Sequence, residues 1–349
     1  MSSEPLLLEI KDLHVHFAVY GGRLNVLDGV NFFMRSGEKV GLVGETGCGK
    51  TTTMKAILRV LPMPPARIPE GEIYFNGRDI LKMGSNDLQQ VRGQGISMIF
   101  QDPTAALNPV FSVGQQLEAV IHHSANRGSQ LSRQEIHQRA IAALQEVALA
   151  DPERLLGSYP IQLSGGMRQR VCIGMALATG PELLIADEPG TSLDVTIQDQ
   201  VLRLLRKLVE EKNTSVILIT HTLGIVREMA DRVYVMYAGN MVEVAATKEL
   251  FSHPLHPYTR GLMDAVPRLT GGGVSDGIPG RIPNYLNPPP GCRFHPRCPQ
   301  AMDICRQEKP SFYKPALSHV EGLSDNHEVA CFLYREGGKG CYSPAPAGS

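Results

Sequence analysis

Eight residues, Gly44-Glu45-Thr46-Gly47-Cys48-Gly49-Lys50-Thr51, constrain this chain more than any other stretch. They fit the pattern GxxxxGK[ST]. They stand between an apolar run, 39–43, that reads as a strand and a segment, 51–61, that reads as a helix ended by Pro62. Glycines at this spacing let backbone N–H groups turn inward around phosphate oxygens, and the following helix points its positive end at the same anion. Lys50 then reaches the β- and γ-phosphates, and Thr51 holds Mg2+. A plain glycine turn between strand and helix leaves the Lys-Thr pair unexplained. The candidate ATP-binding residues are Gly44, Glu45, Thr46, Gly47, Cys48, Gly49, Lys50, Thr51 and Thr52.

The remaining pattern is that of an α/β protein. Leu8, Ile10, Leu13, Val15 and Phe17 give short strands over 6–43, with a turn at Gly21-Gly22. A strand at 71–75 runs into the hairpin signal Asn76-Gly77. Helical spacing at 115–121 and 135–148 marks a helical insert, and Asp151-Pro152 reads as a helix start with the Asp as cap. Helices at 167–179, 197–210 and 223–230 then alternate with strands at 183–186, 216–220 and 232–236, which predicts a mostly parallel sheet. The strand Leu183-Leu184-Ile185-Ala186 ends in Asp187-Glu188. A buried strand that delivers a carboxylate beside a phosphate loop holds Mg2+, here through Asp187, and Glu188 is placed to polarise the attacking water.

Charge and hydropathy exclude some classes of function. Lys+Arg is 34 and Asp+Glu 35, without the basic excess of a nucleic-acid-binding domain. No apolar run approaches the roughly 18–20 residues that span a bilayer. The N-terminus lacks a basic segment followed by an apolar one, so a cytoplasmic protein that meets a membrane only through partners is expected. The chain has 7 cysteines, five of them after residue 291. In a cytosolic chain such a group points to a metal or cluster site rather than disulfides. Cys292, Cys298, Cys305 and Cys331 contain no CxxC knuckle, which disfavours an ordinary zinc ribbon, and four thiolates can instead hold an iron–sulfur cluster. Cys341 reads as a free thiol, Cys48 as a small residue tolerated in the phosphate loop, and Cys172 as core.

The segment Leu163-Ser164-Gly165-Gly166-Met167-Arg168-Gln169-Arg170 resembles the signature sequence of ATP-binding-cassette (ABC) proteins. Ser164 stands where a helix begins, and two glycines let the backbone approach an anion closely. The resemblance implies that Ser164, Gly165 and Gly166 close over the γ-phosphate held by a second nucleotide-binding subunit, in a head-to-tail dimer with two ATPs sandwiched between. Gln101 resembles the Q-loop glutamine that touches Mg2+, Ser192-Leu193-Asp194 the D-loop, and His221 the switch histidine that contacts the γ-phosphate. The family stacks an aromatic on adenine, and Phe17 and Tyr20 are both candidates.

The resemblance narrows further. Gln101-Asp102-Pro103-Thr104-Ala105-Ala106-Leu107-Asn108-Pro109, His256-Pro257-Tyr258-Thr259 and Pro288–Cys298 resemble segments of the dipeptide/oligopeptide importer ATPases, and extend the likeness to about residue 333. It implies a P-loop ABC nucleotide-binding domain over 1–264, with a RecA-like core, an antiparallel β subdomain and a helical subdomain at about 108–165. A loop-rich extension, 265–349, would carry a [4Fe–4S] cluster on Cys292, Cys298, Cys305 and Cys331. The implied partners are a paralogous ATPase or a second copy, two transmembrane permeases and an extracytoplasmic binding protein, with no nucleic acid. The implied place is the cytoplasmic face of the membrane. Peptides are the implied cargo, with nickel complexes or oligosaccharides as alternatives, since no residue of such an ATPase touches cargo. Thr46 and Cys48 depart from the serines common in the family's loop, but both are small and leave the cradle intact.

Overall fold

The computed structural model describes residues 5–124, 131–191, 193–265, 277–315 and 326–335. In chain order the chain forms β1 (Leu6–Val19), β2 (Gly22–Arg35), β3 (Lys39–Val43), α1 (Lys50–Ile57), β4 (Ala66–Arg67), β5 (Glu72–Phe75) and β6 (Arg78–Asp79). There follow α2 (Ser85–Gln90), β7 (Ile96–Ile99), α3 (Pro103–Ala106), α4 (Val113–Ser124), α5 (Arg133–Glu146) and α6 (Pro152–Leu156). Next come α7 (Gly165–Leu177), β8 (Leu183–Asp187), α8 (Val195–Lys212), β9 (Ser215–Ile219), α9 (Leu223–Met229) and β10 (Arg232–Tyr237). The last elements are β11 (Asn240–Ala246), α10 (Thr247–Ser252), α11 (Pro257–Asp264), α12 (Ile304–Gln307) and β12 (Glu328–Val329). No helix among the described residues is long and apolar enough to cross a membrane.

The chain divides into two compact units. One comprises 1–8, 34–39 and 74–220, the other 9–33, 40–73 and 221–349. In the first unit β7, β8 and β9 lie side by side, all parallel, with Ala186 opposite Ile99 on one side and Leu218 on the other. Their residues are almost entirely buried, which is why 183–187 reads as an unbroken apolar run rather than an alternating one. The amphipathic α8 buries Val201, Leu202, Leu205, Leu208 and Val209 along one stripe. The insert is helical as expected. Ser132 and Glu135 form a reciprocal capping box at the start of α5, and Gly114 on α4 lets Leu156 approach so closely that a Cβ would stand 2.8 Å from its carbonyl oxygen.

In the second unit β3 and β10 are parallel, β10 and β11 are antiparallel, and β12 pairs with β11. β4 pairs with β1, His16 opposite Arg67. The short strands expected over 6–43 are instead two strands of 14 residues each, joined at Tyr20-Gly21. Polar residues such as Glu9, Asp12 and Asn25 had broken up the pattern, but a strand with one solvated face tolerates them. The helix expected over 51–61 ends at Ile57, because Arg59 takes a left-handed backbone (φ 50°). Asp151 stands at the start of α6 but is itself left-handed (φ 53°), so its carboxylate caps no N–H and pairs with Arg154 at 3.0 Å. The Asn76-Gly77 hairpin is as expected, with φ of 49° and 72°, the mirror-image turn that suits twisted strands. The last strands, β11 and β12, and the short α3 carried too little periodicity to be predicted.

Candidate functional site

The phosphate-loop sequence forms a tight cradle in the second unit. Gly49 caps α1 with φ 112°, where a Cβ would meet Leu27 Cδ2 at 2.8 Å, and a Cβ on Gly44 would strike the Met236 carbonyl oxygen at 2.2 Å. Only glycine fits either position. Lys50 is buried, and its Nζ donates to the carbonyl oxygens of Gly44 at 2.7 Å and Glu45 at 3.0 Å. The first turn of α1 is Lys50-Thr51-Thr52, with no acidic residue, so its N-terminal dipole stays positive toward an anion. Cys48 is fully buried beside the Lys50 ammonium, 3.6 Å away, and burial raises its thiol pKa. That agrees with a small space-filling residue rather than a nucleophile.

Acidic and amide groups gather in the first unit. β8 delivers a buried Asp187 at its end. Glu188 follows in left-handed backbone (φ 47°), its N–H donating to Ile219 O at 2.8 Å. Such a conformation costs a non-glycine residue about 1–2 kcal/mol, and strain of this kind collects at functional sites. Gln101 Nε2 donates to Glu188 Oε2 at 3.0 Å, so two of the sequence-predicted residues meet directly. Ser164 caps α7, its Oγ accepting the Met167 N–H at 3.3 Å, and Ser164 and Gly165 are exposed. Gly166 lies against α8, where a Cβ would stand 2.7 Å from Ile197 Cγ2. Asp194 caps α8, accepting the Ile197 N–H at 3.0 Å. Ser192 and Cys341 lie outside the described residues.

His221 follows the end of β9 by one intervening residue, Thr220, and is exposed. Tyr20 projects fully into solvent between β1 and β2, while Phe17 is half-buried in register with Ala66. Phe100, Val110, Phe111, Tyr159 and Ile161 are exposed large apolar side chains of the first unit, and the Val113 N–H to Ser158 O bond of 2.9 Å draws the segments around 111 and 159 together.

Cys292, Cys298, Cys305 and Cys331 line one cavity together with His256 and Phe294. Burial raises the thiols of Cys292 to about 11 and of Cys331 to about 12, and raises that of Cys298. Their thiolates therefore need compensating positive charge. Among the described residues, the side chains whose metal-binding atoms all lie within 4.8 Å of one another are Asp12, His14 and Glu70. Cys172 is buried on α7, as expected of a core residue.

Reading the sequence alone missed the residues that grip the phosphate loop from the C-terminal side. The Tyr258 hydroxyl accepts the Glu45 N–H at 2.8 Å, Tyr285 donates to Gly47 O at 2.8 Å, and Arg297 pairs with the Glu45 carboxylate at 2.9 Å. Tyr258 and Arg297 stand inside the motifs 256–259 and 294–298, which had signalled only likeness. Tyr285, in a proline-rich stretch, gave no signal.

Comparison with known proteins accounts for nearly the whole chain. The ABC transporter family matches residues 27–191, and the C-terminal region of oligopeptide/dipeptide transporters matches 242–305. A probable peptide ABC transporter ATP-binding protein of Sinorhizobium fredii is 47% identical over 96% of this chain and 98% of its own length. The oligopeptide transport ATP-binding protein OppD of Bacillus subtilis is 44% identical over 94% of this chain and 88% of its own. A dimeric post-hydrolysis structure of an ATP-binding cassette bound to ADP and Pi superposes with a TM-score of 0.61 at 27% identity, covering 69% of this chain and 98% of that one. The fold is that of the P-loop ABC nucleotide-binding domain, and the chain belongs to the family of ATP-binding proteins of peptide ABC transporters.

Proposed function

We propose that this chain hydrolyses ATP to power the import of di- and oligopeptides through a membrane ABC transporter. The observation that carries this reading is its 47% identity, over 96% of its length, to a probable peptide ABC transporter ATP-binding protein. The cassette spans 1–264 and the extension 265–349. ATP lies in the cradle of 44–52, with Lys50 on the β- and γ-phosphates and Tyr20 against adenine. Thr51, Gln101 and Asp187 hold Mg2+. Glu188 accepts the proton of the attacking water, and His221 contacts the γ-phosphate. The Gln101–Glu188 hydrogen bond supports this pairing of roles, because it orients the carboxylate.

A second ATPase subunit, paralogous or identical, completes each site head to tail. Its Ser164, Gly165, Gly166 and Asp194 close over the γ-phosphate of the first. Exposure of the Ser164-capped helix start supports this, since an anion site open to solvent is open to a partner. The exposed apolar side chains Phe100, Val110, Phe111, Tyr159 and Ile161 dock on two transmembrane permeases at the cytoplasmic face of the membrane. An extracytoplasmic binding protein supplies the peptide.

Cys292, Cys298, Cys305 and Cys331 hold a [4Fe–4S] cluster. When bound, that group supplies positive charge to four buried thiolates and a covalent staple to a tail with little core of its own. Anaerobic purification followed by iron and sulfide assay tests this, with about four irons per chain expected. Zinc at one per chain, or a metal-free protein, would overturn it and leave the ATPase untouched.

The ATPase reading is tested with Glu188→Gln. Turnover should fall by a factor of about 10²–10⁴, while MgATP remains bound at one per chain. Hydrolysis at the wild-type rate would show that another group is the base.

A further inference from the structure

The phosphate loop does not hold its shape by its own bonds alone. Gly44, Gly47 and Gly49 stand at φ 154°, 84° and 112°. Three such glycines within six positions give a chain with few conformational restraints of its own. Beside the Lys50 and Cys48 bonds within it, further restraint comes from residues far along the sequence. Glu45 is gripped twice, its N–H by the Tyr258 hydroxyl and its carboxylate by Arg297 Nη1. Gly47 O accepts from the Tyr285 hydroxyl. Cys48 O accepts from Gly239 N–H at 2.7 Å, and Arg293 steadies that turn by donating to Ala238 O at 2.6 Å.

These contacts set the orientation of peptide planes. In a trans peptide the carbonyl and the next N–H point in opposite directions. Holding the Glu45 N–H against Tyr258 turns Gly44 O the other way, where Lys50 Nζ meets it at 2.7 Å. Holding Gly47 O against Tyr285 turns the Cys48 N–H the other way, toward Glu45 O at 3.2 Å. Burial raises the pKa of both tyrosines, so each keeps its proton as a neutral hydroxyl.

We infer that Tyr285 and Arg297 are positioning residues for nucleotide: they hold the phosphate loop in its binding shape, so that ATP need not order it. The inference rests on the reading of 44–52 as the ATP site. Preorganisation of this kind raises affinity without any contact to the ligand. Arg297 is built for the task. Its side chain is 6% exposed, and each nitrogen is used: Nε on Pro279 O at 2.8 Å, Nη2 on Ile278 O at 2.9 Å, and Nη1 on Glu45 and on the Tyr237 hydroxyl at 3.3 Å. A planar guanidinium spans these acceptors where an ammonium cannot. Arg293 and Arg297 each adjoin a cysteine of the four-thiol group, Cys292 and Cys298, so the shape of that group fixes where both arginines start.

The test uses the full chain and measures MgATP dissociation constant, KM, kcat and melting temperature for Tyr285→Phe, Arg297→Ala and Arg297→Lys. Tyr285→Phe removes one hydroxyl and should weaken MgATP about fivefold. Arg297→Ala should weaken it about tenfold or more, with Arg297→Lys restoring part of the loss. Saturating ATP should bring kcat to within about twofold of wild type, a KM effect that a general loss of stability would not give. Adding Glu45→Gln to Arg297→Ala should cost less than Glu45→Gln alone. Ser252→Ala is the control. Its hydroxyl donates to Lys248 O at 2.7 Å within α10, and its loss should leave MgATP affinity unchanged. Unchanged affinity in a folded Arg297→Ala, or equal weakening by Ser252→Ala, overturns the positioning role while the ATP site stands. A wild-type chain that binds no MgATP overturns the reading of the loop itself.

Discussion

Two glycine-rich turns in this molecule each lead into a helix, and they are held in opposite ways. The phosphate loop buries Gly44, Cys48, Gly49 and Lys50, leaves Thr46 and Gly47 exposed, and is pinned from outside by Tyr258, Tyr285, Arg297 and Gly239. The signature turn exposes Ser164 and Gly165 and is held by the Ser164 cap, by Gly166 against α8 and by Arg168, which donates to Leu163 O at 3.1 Å and to Thr104 Oγ1 at 3.0 Å. A site that must grip its ligand within one chain gains from being rigid beforehand. A site that closes on a ligand carried by another subunit needs only a positive helix end left open to solvent. The difference in support therefore mirrors the difference between the roles proposed for the two turns.

Breaking the two turns separately should separate their functions. Lys50→Ala should weaken MgATP binding to the isolated chain about 100-fold, since it removes the one cation in the cradle. Ser164→Asp should leave that binding within about twofold. Asp is as good a helix cap as Ser, so α7 should still start where it does. The added carboxylate would face the γ-phosphate of the opposing subunit, and turnover should fall about 100-fold. Titration of each variant with MgATP, beside its steady-state rate, reads both effects. If Ser164→Asp weakened single-chain binding as much as Lys50→Ala, the two turns would belong to one site.

The sequence revealed both turns but not the distant supports of the first. The cradle and the signature helix start were legible because each depends on a local pattern. Glycine is forced wherever a Cβ would strike a neighbour, as at Gly44 and Gly49, and Ser is favoured where a helix needs a cap, as at Ser164. The Gln101–Glu188 contact was legible as two roles but not as a hydrogen bond. The pins on the loop were not legible, because a tyrosine 238 positions away in the chain leaves no periodicity and no spacing rule. The long β1 and β2 were hidden for a related reason. Their solvent faces admit polar residues that interrupt the pattern, and pairing decides their length.

The comparison has an acid-dependent side. Helix α11 carries Tyr258 to the phosphate loop, and its cap is His256, whose Nδ1 accepts the Tyr258 N–H at 3.0 Å. Only the unprotonated nitrogen can accept. Burial lowers the pKa of His256 from 6.5 to about 4, against a smaller opposing pull from Glu243. A histidine held neutral in the fold but free to protonate when unfolded costs no stability above pH 6.5. It costs progressively more as pH falls from there toward 4, because the unfolded chain then binds the extra proton. The loss should reach about 1 kcal/mol by pH 5.5. Ser164, which caps the signature helix with a hydroxyl, has no such window. His256→Asn keeps an acceptor that does not titrate, so its urea-unfolding stability should fall less than wild type between pH 7 and pH 5. Parallel stability curves for the two proteins would mean that His256 does not titrate in this window. The phosphate loop's outer support would then be no more acid-sensitive than the signature turn.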